Sequence, residues 1–156
     1  MEMIERIRGY TGMGSHEVFR SPLTIVVTKF DAWKHLLPNM DLREPWRALP
    51  DHPGYGVDSE AVRNMSKRVR ELLLETVPDI VSLAERFAGE VLYLPVSATG
   101  RPPSVDPATG ALGFRTAEIA PIWIDVPILD ALSRSFPGTI PVLRRSVKPP
   151  PLPGNG

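Results

Sequence analysis

Two short apolar stretches of this sequence each end in polar residues whose chemistry suits the recognition of a flat heteroaromatic ring. The stretches are residues 23–28 and 91–96, and the tetrapeptides at their ends are Thr28-Lys29-Phe30-Asp31 and Ser97-Ala98-Thr99-Gly100. The Asp31 carboxylate can accept two parallel N–H bonds, and the methylene stem of Lys29 can cover a ring face. Backbone N–H groups at Ser97 and Ala98 can donate to a ring oxygen.

These groups favour guanine over adenine. Guanine offers a ring N–H and an exocyclic amine to Asp31, and its six-position oxygen accepts from the backbone. Adenine carries an amine in place of that oxygen, so each polar group left unpaired costs about 1–3 kcal/mol. Apolar, β-branched stretches of this kind are typical of buried parallel strands, whose carboxyl ends bind ligands in α/β folds.

The tetrapeptides resemble the base-specificity motifs of P-loop GTPases of the translation-factor and Ras-like (TRAFAC) class. The first resembles Asn/Thr-Lys-x-Asp, and Ser97-Ala98-Thr99 resembles the SAK-type motif that follows it. The flanks VVTKFDAW and LYLPVSATG, and a Pro121-x-x-x-Asp125-x-Pro127-x-Leu129 pattern, are similar to bacterial GTPase-like proteins of that class. The resemblance covers residues 20–135 and implies a guanine-binding site whose members are Thr28, Lys29, Asp31, Ser97, Ala98 and Thr99.

The sequence departs from that family's pattern at several points. Thr28 stands where the commoner Asn braces the loop with its amide, and Thr99 stands where Lys is usual. Asp31 and Ser97 are further apart than in small GTPases. The proline-rich stretch 38–56 is an insertion, which we predict to be a long loop.

The phosphate-binding half of a GTPase has no counterpart in these residues. A P-loop needs G-x-x-x-x-G-K-S/T, but the sequence has no Gly-Lys pair, and Ser15-His16 follows the glycines at 9 and 14. Asp51-His52-Pro53-Gly54 mimics D-x-x-G but comes after the Lys-Asp motif, which is the wrong order. We therefore expect weak or no binding of GTP or GDP in isolation, Mg²⁺ only together with a P-loop half, and no hydrolysis by this chain alone.

The predicted fold class is α/β: a partial P-loop NTPase (Rossmann-like, three-layer) fold with parallel strands and flanking helices. We expect three regions. They are a helix remnant and loop (1–22), the C-terminal half of a GTPase-like domain (23–136) and a proline-rich disordered tail (137–156). The amphipathic pattern of residues 1–10 suggests a missing beginning, and two alternatives stay open: a truncated gene product that starts at Met1, or one piece of a larger chain.

Local sequence signals predict the helices and turns of the middle region. Asp58 or Ser59 caps a long helix, Pro78 begins the next helix, and residues 106–110 form the turn of a hairpin. A last helix follows Asp125, and we expect its inward face to hold Ile128, Leu129 and Leu132.

Composition excludes several functions. Lys+Arg and Asp+Glu are both 18, so no basic excess indicates nucleic-acid binding. There is no cysteine, the three histidines are scattered, and no apolar run is long enough for a membrane span, so we expect no catalytic or metal site and a cytoplasmic location. Two alternatives to guanine binding stay open: the tetrapeptides lie on an unrelated α/β fold, or the chain is a non-enzymatic domain that binds a protein partner or itself through an exposed sheet edge.

Overall fold

The centre of the fold is a pair of parallel strands, β1 (Leu23–Val27) and β4 (Val91–Pro95), in a computed structural model that describes residues 2–49 and 53–143. Leu23 lies opposite Val91 and Val27 opposite Pro95. The remaining strands are β2 (Trp46–Ala48), β3 (Tyr55–Asp58), β5 (Ser104–Val105), β6 (Leu112–Gly113) and β7 (Val142–Leu143). The helices are α1 (Glu2–Thr11), α2 (Phe30–Trp33), α3 (Ser59–Thr76), α4 (Pro78–Phe87) and α5 (Val126–Ser135), with 3₁₀ turns at Lys34–Leu36 and Thr116–Glu118.

The coarse fold prediction is confirmed: the chain is mixed α/β, with a parallel sheet and flanking helices. The long helix α3 packs against β4 through a buried face of Val62, Met65 and Val69. The predicted cap at Asp58 is present, since its carboxylate accepts from the N–H groups of Glu60 (3.1 Å) and Ala61 (3.0 Å). Pro78 begins α4 as predicted.

The prediction of a long loop over 38–56 is wrong in part. Strand β2 lies inside it and pairs antiparallel with β3, which in turn pairs parallel with β7. Gly56 is required at this pairing, because a Cβ there would lie 2.9 Å from the Pro141 carbonyl oxygen. Strands of two to four residues are too short to show an alternation of apolar and polar residues, and β7 lies far along the sequence from its partner. The local sequence pattern therefore did not predict this sheet.

Residues of the predicted tail contribute to this small sheet. Strand β7 lies within 137–156, and residues 144–156 of that range lie outside the described residues. The Asp51-His52 part of the D-x-x-G mimic lies outside them as well. The predicted hairpin is confirmed: β5 and β6 pair antiparallel, and Gly110 adopts φ 69° in the connecting turn.

The predicted inward face of α5 is wrong at two of three positions. Ile128 is 64 % exposed and Leu132 36 % exposed, while Leu129 is half-buried. A charged group faces inward instead: Asp130 is buried, and its Oδ2 lies 2.9 Å from Arg134 Nε. Arg134 also reaches Glu90 Oε1 at 2.6 Å, next to the start of β4, so an ion-pair chain sets the rotation of the helix.

The hydrophobic core lies between the parallel pair, α3, α4 and the insertion. Its fully buried members include Phe30, Val57, Val69, Val81, Tyr93, Leu94, Trp123 and Val126. Trp123 joins the insertion to the rest of the core, because its indole N–H donates to the Arg43 carbonyl at 3.1 Å. Within the described ranges, no helix combines the length and apolar character needed to cross a membrane.

Candidate functional site

The two polar tetrapeptides meet at the carboxyl ends of the parallel strands. Because β1 and β4 are adjacent and parallel, the residues that follow them emerge at the same edge of the sheet. The Ser97 hydroxyl donates to Asp31 Oδ1 at 2.5 Å, across 66 positions of sequence. The structure therefore brings the two tetrapeptides together, through a Ser97 side-chain contact that the sequence analysis did not predict.

The Ser97 side chain links Asp31 to the loop at Gly100. Ser97 is 2 % exposed, and its Oγ accepts from the Gly100 N–H at 2.9 Å while its hydroxyl hydrogen points to Asp31. A hydroxyl has one donor and two acceptor positions, so this geometry fixes the direction of the donated bond. Among the described residues Ser97 is the only hydrogen-bond partner of the Asp31 carboxylate, which leaves Oδ2 available to a ligand.

The backbone of the first tetrapeptide is held against β4. The Phe30 N–H donates to the Val96 carbonyl at 3.0 Å, and the Val96 N–H donates to the Val27 carbonyl at 3.0 Å. Between these bonds Lys29 adopts a left-handed conformation, with φ 56° and ψ 39°. This conformation costs a non-glycine residue roughly 1–2 kcal/mol, so it persists only where neighbouring contacts impose it.

The second tetrapeptide is held by the segment before α5. The Ser97 N–H donates to the Ile122 carbonyl at 3.0 Å, and the Ala120 N–H donates to the Thr99 carbonyl at 3.1 Å. Gly100 has φ 71°, and a Cβ there would lie 1.8 Å from the Ala120 carbonyl oxygen, so no other residue fits without moving the backbone. The Gly100 requirement could have been anticipated from the Ser-Ala-Thr-Gly sequence, but its partner segment could not.

These bonds correct one detail of the predicted site. The Ser97 N–H is already used by Ile122 and cannot donate to a ligand. The Ala98 N–H has no hydrogen-bond partner in the part of the chain that the structure describes, and Ala98 is exposed. The backbone donor available to a ring oxygen is therefore that of Ala98.

The remaining predicted residues lie around this pair. Thr28 and Lys29 are exposed, and Thr99 is half-buried with its hydroxyl donating to the Arg101 carbonyl at 2.9 Å. The Thr99 side chain is thus directed into its own loop. A rim of exposed Lys29 and Ala98 with half-buried Asp31 remains for a ligand.

A contact that the sequence analysis missed lies beneath this rim. The indole Nε1 of Trp33 donates to the Thr28 carbonyl at 2.9 Å. Its ring packs edge-on against Phe30, with centroids 4.6 Å apart at 68°. From the sequence Trp33 is only an aromatic residue beside the insertion, since nothing in its spacing shows that the side chain turns back to residue 28.

A separate cleft of about 240 Å³ lies between the insertion and the first turns of α3. Its charged lining residues are Arg43, Arg47, Arg68, Asp41, Glu44, Asp58 and Glu60. Two of the three arginines are already paired, Arg43 with Asp41 at 2.6 Å and Arg47 with Asp58 at 3.2 Å. Burial raises the Asp58 pKa, but hydrogen bonds from Ala61 and Arg47 outweigh it and lower the pKa below 3.8. The mixed charge makes this cleft a poor phosphate site.

Residues 2–49 and 53–143 contain no group of three or more His, Cys, Asp or Glu side chains arranged to hold a metal ion. Comparisons of the chain with protein-family models, with curated proteins and with solved structures gave no match.

Proposed function

We propose that this chain recognises the guanine base of a nucleotide, as the base-binding half of a GTPase-like, P-loop NTPase domain. The observation that supports this most is the hydrogen bond between Ser97 and Asp31, which joins the two tetrapeptides that the sequence analysis singled out. In the proposed complex, Asp31 accepts from the ring N–H and the exocyclic amine of guanine. The Ala98 N–H donates to the six-position oxygen, and the Lys29 stem covers one ring face.

Phosphate and magnesium binding are not part of this proposal for the chain alone. The sequence has no Gly-Lys pair, and the charged cleft beside α3 carries acidic as well as basic groups. A base pocket without phosphate contacts binds with low affinity, because few polar groups and one ring face contribute. GTP or GDP binding of useful affinity, with Mg²⁺, requires a P-loop half from elsewhere, and we assign no catalytic residue here.

The test is a nuclear magnetic resonance titration of the ¹⁵N-labelled chain with GMP and, separately, AMP. Monophosphates keep the phosphate contribution small and equal, so a difference in affinity reports the base. We expect GMP to bind at least about tenfold more tightly than AMP, with shifts at the Ala98 and Gly100 amides. That ratio corresponds to about 1.4 kcal/mol, close to the lower end of the range for one hydrogen bond to a charged group.

Asp31→Asn provides the matched variant for this titration. The amide keeps an acceptor for Ser97 but turns the second acceptor into a donor, so the preference for GMP over AMP should disappear. Asp79→Asn is the control, since Asp79 is exposed on α4. Equal affinity of the unmutated chain for GMP and AMP, or an unchanged preference in Asp31→Asn, contradicts the proposal.

A second candidate function is self-association through β1, which the open edge of that strand favours. Strand β1 has β4 as its one neighbour within the described sheet, and Val26 on it is 43 % exposed. The Leu23 N–H and the Val27 carbonyl bond to the β4 side, so the backbone groups of Thr24 and Val26 point outward. The proposed occupant is a second copy of this chain, since two copies with zero net charge do not repel each other.

Sedimentation velocity over a range of concentrations tests this candidate. A dimer whose stability is indifferent to GMP supports self-association as a separate activity. A monomer at all concentrations rules it out.

A further inference from the structure

We infer that Trp33 is a positioning residue of the base-recognition site: its indole N–H holds the Thr28 carbonyl and so fixes the directions of Lys29 and Asp31. This inference rests on the proposed guanine recognition. It assigns a role to a residue outside the two tetrapeptides, through a contact seen only in the folded chain.

The loop that carries Lys29 and Asp31 needs a restraint at its start. Lys29 is held in a left-handed conformation that a lysine adopts only under constraint. The Thr28 hydroxyl has no hydrogen-bond partner among the residues described, so the side chain at this position does not supply the restraint. The carbonyl of the same residue is the group that is held.

Trp33 closes the loop from its far end. The bond from Nε1 to the Thr28 carbonyl is 2.9 Å long and joins the first residue after β1 to the last residue of α2. A second bond, from the Ala32 N–H to the Lys29 carbonyl at 2.9 Å, lies inside this closed segment. Lys29 and Asp31 are therefore both enclosed by the Trp33 contact.

The indole is itself fixed by packing. Its ring contacts Phe30, which is 0 % exposed and belongs to the core, while the Phe30 N–H is bound to the Val96 carbonyl of the second tetrapeptide's strand. A displacement of the indole would release the Thr28 carbonyl and leave Phe30 with one edge unsupported. Because the core fixes the indole and the indole fixes the Thr28 carbonyl, the core restrains the directions of Lys29 and Asp31.

A purely structural role for Trp33 predicts a different result from a positioning role. Loss of packing alone lowers the stability of the whole domain and leaves the ratio of GMP to AMP affinity unchanged. Loss of position lowers that ratio, because Asp31 and Lys29 then sample directions in which guanine is no longer favoured.

The experiment compares Trp33→Phe with Trp46→Phe in the full chain. Both changes keep an aromatic ring at a half-buried position beside the core, but only the first removes the bond to Thr28. In the nucleotide-free protein, Trp33→Phe should move the Lys29 ¹³Cα shift away from its left-handed value and speed amide exchange at Phe30 and Ala32. In the titrations it should lower the GMP/AMP affinity ratio about 3- to 10-fold, the range for one neutral hydrogen bond.

Three outcomes decide the matter. Loss of the ratio and of the Lys29 shift in Trp33→Phe, with both retained in Trp46→Phe, supports the positioning role. A ratio and Lys29 shift that survive in Trp33→Phe, whatever the change in melting temperature, overturn it while leaving the proposed function standing. Equal GMP and AMP affinity in the unmutated chain overturns the proposed function itself, and the role in base recognition with it.

Discussion

The two outer edges of the central parallel pair differ in how their backbone groups are satisfied. On β4, Tyr93 faces outward and its N–H donates to the Ser66 hydroxyl of α3 at 2.9 Å, while Pro95 has no N–H to satisfy. On β1, the outward backbone groups belong to Thr24 and Val26, and among the described residues no strand pairs with them and no side chain is hydrogen-bonded to them. We call the β4 edge closed because its outward groups at Tyr93 and Pro95 leave no free N–H, and the β1 edge open because the N–H groups of Thr24 and Val26 have no such partner among the described residues.

Helix α5 contacts β1. Exposed apolar residues follow at four-residue spacing, with Ile128 and Leu132 on the helix, Ile124 before it and Phe136 after its end; they are 64 %, 36 %, 48 % and 61 % exposed. Rows of this spacing are the ridges by which helices pack in proteins. The difference between the edges is therefore that the described sheet has unpaired backbone groups beside β1, the strand that Thr28 follows.

Of the substitutions that distinguish the two edges, we expect Ser66→Ala to change the free energy of unfolding most. The change leaves the buried Tyr93 N–H without a partner at the closed edge, which should lower the free energy of unfolding by about 1–3 kcal/mol. Urea denaturation measures it, with the exposed Ser82→Ala on α4 as control. A loss no greater than that of the control would show that water reaches the β4 edge and that the two edges are alike.

The titration of Tyr93 tests the closed side in a second way. Burial, with the Glu85 charge adding to it, raises the Tyr93 pKa from 10.0 to about 12. The folded protein then keeps the phenol proton where the unfolded chain has lost it, so this contribution to stability is complete below pH 10.0 and is lost as pH rises to about 12.

In Tyr93→Phe the unfolding free energy should therefore fall less steeply over that pH window than in the unmutated chain. The control is Tyr55→Phe, since Tyr55 is 72 % exposed. Identical slopes for all three proteins would mean that Tyr93 is solvated and the β4 side is not closed.

The smallest effect on stability is expected from Val26→Lys at the open edge. An exposed edge position tolerates a charge, so the free energy of unfolding should change by no more than about 0.5 kcal/mol. Any dimer seen by sedimentation should nevertheless dissociate, because pairing would bury two lysines. A dimer that persists in Val26→Lys would place the self-association surface elsewhere.

Local signals in the sequence account for the central elements. The apolar stretches of β1 and β4, the Asp58 cap of α3 and the Pro78 start of α4 depend on neighbours within a few residues, and each was predicted. Strand β7 and the inward Asp130 were not, because each depends on a partner far along the chain, β3 in one case and Glu90 through Arg134 in the other.

The candidate site also has some features that local sequence predicts and others that depend on distant partners. The sequence by itself determined which groups are available, the Asp31 carboxylate, the Lys29 stem and the Ser97–Ala98 backbone, and that no Gly-Lys pair accompanies them. Only the tertiary structure decided how they are used: the Ser97 N–H is taken by Ile122, the Ala98 N–H stays available, and Trp33 holds the loop. The reason is physical, since a residue type sets what a group can donate or accept, while the partner it meets depends on which distant segment the fold brings beside it.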